Sequence, residues 1–86
     1  MRVVVVYKDA TDYARQVIDY LRDFKSQTGH DLETMDPDSI EGTDFCRTYD
    51  IMQYPTVIAF SNEGVMQNIW SGLPLPTISE VSYYVQ

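Results

Sequence analysis

The chain has 86 residues, 44% of them hydrophobic and 13% aromatic, with 13 acidic against 6 basic side chains and a formal net charge of −7. Compact domains usually run to about 100–150 residues, so one small domain is expected over residues 1–86, with too much apolar surface for disorder. The acidic balance and the lack of a basic stripe argue against nucleic acid and membrane surfaces as partners, and the lone Cys46, which cannot form an internal disulfide, points to a reducing, cytoplasmic setting.

Arg2 to Tyr7 is a β-branched run, apolar on both faces, which predicts a central strand covered on two sides. It is too short for a signal-peptide core or a membrane span. Lys8-Asp9-Ala10-Thr11 turns the chain, and Thr11 or Asp12 is placed to cap a helix. From Tyr13 to about Ser26, Ala14, Val17, Ile18, Leu21 and Phe24 fall on one helical face, and Gly29 is expected to stop the helix. Asp31 to Met35 reads as a second strand, whose charges and following Asp36-Pro37 suit a sheet edge. Ser39 to Tyr49 should contain a short second helix, with Gly42 weakening its start. Thr56 to Phe60 is another apolar strand, Ser61-Asn62-Glu63-Gly64 has hairpin turn chemistry, and Val65 to Trp70 is the return strand. Gly72, Pro74 and Pro76 lie in a loop before a last helix, which Thr77 opens with Glu80 as a capping box.

The expected class is therefore α/β, in the order β-α-β-α-β-β-α. Strands separated by a helix are expected to run parallel, and the last two to form an antiparallel hairpin. This predicts a mixed four-stranded sheet with helices on both faces.

That order, together with specific residues, resembles the thioredoxin-like superfamily. Val3-Val4-Val5-Val6-Tyr7 leading into an amphipathic helix is similar to the first βα unit of glutaredoxins. Tyr49-Asp50-Ile51-Met52-Gln53-Tyr54-Pro55-Thr56 resembles the thioredoxin stretch that ends a helix and carries the cis-proline loop. Asn62-Glu63-Gly64 and Gly72 resemble the hairpin turn and the glycine after the last strand. The resemblance spans roughly residues 2–85 and implies strand order 2-1-3-4 and a cis bond before Pro55. The family's Cys-x-x-Cys is missing: the glutaredoxin spacing sets Asp12 at the nucleophile position and Arg15 at the resolving position. A carboxylate at a helix start enjoys the dipole that activates a thiolate, but it cannot attack a disulfide.

The candidate binding groove consists of Asp12, Arg15, Tyr54, Pro55 and Thr56, where the residue before the proline offers backbone groups to an extended peptide. The plainer reading makes Pro55 a shaper of the strand start, and Asp12 and Arg15 ordinary surface charges. Cys46 has no visible base or second thiol and reads as a buried structural residue, remote from Pro55 in the family layout. His30 stands alone. A calcium loop counted from Asp36 fails, because its sixth residue is Glu41 and its twelfth is Arg47. Tyr83 and Tyr84, being adjacent, cannot both face the core, and Trp70 falls on an edge strand; they are candidates for a partner surface.

The residues name no catalytic group, metal or cofactor. The expected function is a redox-inactive binding module for a protein or peptide partner. The alternatives are a thiol-disulfide oxidoreductase acting through Cys46 alone, and a structural or oligomerisation domain using the Val65–Trp70 edge and the last helix.

Overall fold

The computed structural model describes residues 2–85. The elements are β1 (Arg2–Val6), α1 (Ala14–Thr28), β2 (Glu33–Met35), α2 (Ile40–Thr48), β3 (Thr56–Phe60), β4 (Met66–Ser71) and α3 (Ile78–Ser82). One sheet takes the order β2-β1-β3-β4. Its two faces follow from the alternation of side chains along a strand. Val3, Val5, Val57 and Ala59 meet Val17 and Phe24 of α1 and Val81 of α3. Val4, Val6, Ile58 and Phe60 meet Cys46 of α2 and the buried Ile51. Val3–Val6 and Val57–Phe60 are unbroken apolar runs because both faces of the central strands are covered.

The direction of β3 departs from the sequence expectation. β1 and β2 are parallel, but β3 runs antiparallel to β1, with Arg2 opposite Phe60 and Val6 opposite Thr56. The reason lies in residues 49–55. Helix α2 starts beside the loop after β2, where the Ser39 hydroxyl donates to the Asp36 carbonyl at 2.7 Å. It ends near the opposite end of the sheet, where Tyr49 packs on Phe60 at 5.1 Å between ring centroids. The chain then travels back before pairing. Extended backbone covers about 3.3–3.6 Å per residue, so this segment is long enough to retrace a five-residue strand. A helix alone would have delivered a parallel strand; the added return leg reverses it.

A Schellman arrangement starts that leg. The Ile51 N–H donates to the Cys46 carbonyl at 2.8 Å, and the Asp50 N–H to the Arg47 carbonyl at 3.4 Å. Asp50 sits between them at φ 56°, in the left-handed region where glycine is at ease. Asp50→Gly is therefore expected to stabilise the fold by about 0.5–1 kcal/mol, a rise in thermal midpoint of roughly 2–8 °C. Thermal unfolding followed by circular dichroism checks this, and a lowered midpoint would show that the Asp50 side chain matters more than its backbone.

Other boundaries differ in instructive ways. Neither Thr11 nor Asp12 caps α1. The Thr11 hydroxyl donates to the Lys8 carbonyl at 2.7 Å, its own carbonyl accepts from the Ala14 N–H, and Tyr13 precedes the helix with no side-chain cap. The helix therefore starts one residue late and runs to Thr28, where Gly29 at φ 77° ends it as expected. Ile18, set 100° round from Val17, is 51% exposed and leaves the core stripe. The pairing of β2 covers only its last three predicted residues, and the Arg2 guanidinium grips the Glu33 carboxylate across β1 and β2. β4 pairs as Met66–Ser71, with an irregularity opposite Ala59 and Phe60. The Thr77–Glu80 capping box forms with both reciprocal bonds. Tyr83 is exposed, while Tyr84 follows α3 and sets its ring on Trp70 at 5.7 Å.

Candidate functional site

Because Val6 pairs with Thr56, the loop that leaves β1 and the loop that enters β3 lie at the same end of the sheet. The first is folded on itself: the Lys8 N–H donates to the Tyr13 hydroxyl at 3.2 Å. The Lys8 ammonium then reaches across to the second, 5.3 Å from the centroid of the Tyr54 ring. It also lies 3.6 Å from Asp38, which brings the loop after β2 to the same end. Burial pushes the Tyr54 phenol above its ordinary value, and Cys46, Asp38 and Tyr13 act in the same direction. Tyr54 is thus the point where residues from four segments converge. Sequence reading missed Lys8, Tyr13 and Asp38, because no local pattern links positions so far apart in the chain.

The Tyr54–Pro55 bond is cis, as is Leu73–Pro74, which the sequence reading did not anticipate. The loop is closed from both sides. The Thr56 hydroxyl donates to the Gln53 carbonyl at 2.6 Å, and the Gly72 N–H donates to the Pro55 carbonyl at 2.8 Å. Gly72, at φ 73°, lies so close that a Cβ there would stand 2.9 Å from the Gln53 side-chain oxygen. Thr56 and Pro55 are buried, so their polar groups serve the loop itself. Among the described residues, the Tyr54 backbone N–H and C=O take no part in these bonds.

Asp12 and Arg15 stand as separate surface charges. Asp12 lies in the turn before Tyr13, Arg15 is the second residue of α1, and both are exposed. Among the described residues no ion pair joins them. Cys46 is buried and free, as read from the sequence. It is not set apart from the proline loop, however, since Tyr54 packs against the core cluster that holds Cys46. His30 is exposed, and among the described residues no cluster of three or more metal-ligating side chains forms. Among the described residues, no helix is long and apolar enough to cross a membrane.

Several concavities lie elsewhere. One of ≈ 320 Å³ is lined by Arg2, Tyr49 and Phe60 at the far end of the sheet, and one of ≈ 410 Å³ lies between α1 and residues 74–78. Neither includes a residue of the loop from Gln53 to Thr56.

No family model matches the chain. No curated protein matches it in sequence. Solved structures do match it in shape. Thioredoxin 1 from the thermophilic eubacterium Thermosipho africanus superposes with a TM-score of 0.67 at 19% identity, over 99% of this chain and 90% of that one. A malarial protein superposes at 0.68 with 11% identity, over 96% and 90%. Thioredoxin O2 from Arabidopsis thaliana, in its oxidized state, superposes at 0.66 with 13% identity, over 95% and 69%. At such identities the likeness carries the fold and nothing finer. The chain has the thioredoxin fold.

Proposed function

We propose that this thioredoxin-fold chain is a binding module that takes an extended peptide along the cis-proline loop and carries out no dithiol exchange. The observation behind this reading is the Tyr54 backbone, which takes part in none of the hydrogen bonds that close the cis-proline loop. An extended peptide can pair with such a backbone as an added strand, and side chains nearby then set preference. Lys8 and Asp38 flank Tyr54 with opposite charges, and Asp12 and Arg15 stand exposed on the neighbouring turn and helix. Residues 9–15 hold no cysteine, so the dithiol that would exchange electrons with a substrate disulfide is missing from the chain.

Peptides selected from a displayed random pool are expected to shift the amide resonances of Gln53, Tyr54 and Lys8 above all others. Shifts centred on the β4 edge or on α3 would instead support a structural or oligomerisation role. In the insulin assay, the protein is expected to leave the dithiothreitol rate at the buffer level. Acceleration that disappears in Cys46→Ser would favour the single-thiol reading, for which the packing of Tyr54 on the core cluster that holds Cys46 is the specific observation.

A further inference from the structure

We propose that the groove between α1 and the proline-rich approach to α3 docks a partner segment bearing an arginine or lysine flanked by apolar residues. One wall is a single helical face, since Gln16, Asp19, Tyr20 and Asp23 follow the spacing i, i+3, i+4, i+7. The other wall is the run from Pro74 to Ile78, in which Pro76 is buried and Leu75 and Ile78 are half-buried. Two prolines hold that wall in shape, and the volume between the walls is ≈ 410 Å³. The stem of a long basic side chain covers apolar surface of this kind while its head stays polar.

Charge selects the occupant. The lining carries Asp19 and Asp23 and no cation. The neighbouring Arg22 reaches these carboxylates only at 3.5 and 3.9 Å and is 70% exposed, and pairs so exposed hold weakly. An incoming guanidinium or ammonium competes with it readily, whereas an anion would meet two carboxylates and no lining cation. Tyr20 adds a neutral ring to this wall: burial, with Glu80 nearby, pushes its phenol up to about 12, and a guanidinium or ammonium is drawn to such a ring face. The net charge of −7 steers a basic segment toward the surface and opposes a second copy of this chain.

The test uses a fluorescein-labelled, capped peptide of alternating leucine and arginine, with the leucine–glutamate peptide as control, in anisotropy titrations at low salt. Saturable binding of the arginine peptide alone is expected, with amide shifts concentrated in residues 16–23 and 75–78. Asp19→Asn with Asp23→Asn should weaken it by roughly tenfold or more. Glu41→Gln with Asp44→Asn, the same change of charge placed on α2, should weaken it less than about twofold. Equal weakening by the two pairs would reduce the effect to the overall field and overturn the proposal. So would absent or unsaturable binding, equal binding of the glutamate peptide, self-association through this groove, or shifts centred on Tyr54, the last of which would support the cis-proline loop instead.

Discussion

Phe24→Ala is expected to destabilise the domain by about 3–5 kcal/mol, the largest effect of any single substitution considered. Phe24 is fully buried and closes the stripe of α1 that begins at Ala14 and passes through Val17. It packs in the cluster with Val3, Val5, Val57 and Ala59, so it fastens the longest helix to both central strands. Truncation removes the transfer free energy of a phenyl ring and leaves a cavity between rigid layers, which close-packed interiors fill poorly. A chain of 86 residues has a total stability of roughly 4–13 kcal/mol. The variant should therefore lose roughly 12 °C or more of thermal midpoint, or fail to fold at the low end of that range. Urea titration of Phe24→Leu supplies a milder companion that retains most of the volume. A loss below about 1.5 kcal/mol for the alanine variant would mean that α1 is not held through this residue.

Gly42→Ala is expected to cost about 2–3 kcal/mol even though alanine favours helix by about 0.8–1.0 kcal/mol over glycine. A Cβ at position 42 would stand 1.8 Å from the Asp36 carbonyl oxygen and 2.9 Å from the Ser39 hydroxyl oxygen. The first is backbone and cannot swing aside. Ser39 is also the helix cap, accepting from the Gly42 N–H at 2.9 Å and donating to Asp36, so displacing the loop breaks both bonds. Steric cost and cap loss outweigh propensity. Chemical unfolding of Gly42→Ala, with Thr43→Ala on the same helix as a reference, measures this. A neutral or stabilising result for Gly42→Ala would show that the turn from Asp36 to Ser39 moves freely.

Gly42 shows where sequence reasoning stops. Read along the chain, it is a weak point in a helix; read in three dimensions, it is the place where another stretch of backbone crosses at contact distance. Helix propensity is a local quantity, and Asp36 lies outside the window that it describes. The same distinction separates Thr77 from Thr11. Both hydroxyls precede a helix, but Thr77 has its partner Glu80 three residues on, within the motif itself. Thr11 has a competing acceptor in the Lys8 carbonyl, made available by a turn that no capping rule anticipates.

At the candidate site, Pro55 came into view through the resemblance of residues 49–56 to a cis-proline loop, and Tyr54 through its place beside it. The gathering of Lys8, Tyr13, Asp38 and Cys46 about Tyr54 was not legible, because each residue is unremarkable in its own segment. Asp12 and Arg15 were assigned by spacing borrowed from glutaredoxins, and a helix starting at Ala14 leaves Asp12 outside the turn which that spacing requires.

The sequence by itself determined the order of the elements, the double-sided burial of β1 and β3, the Gly29 stop, the capping box of α3 and the lack of a dithiol. Each of these is written in residues close together in the chain, through hydrophobic period, cap chemistry or the plain absence of a side chain. Only the tertiary structure decided the direction of β3, the need for glycine at position 42, the exposure of Ile18 and the neighbours of Tyr54. These depend on distances that no helical or strand period records, and above all on how far the chain travels between the end of α2 and the start of β3.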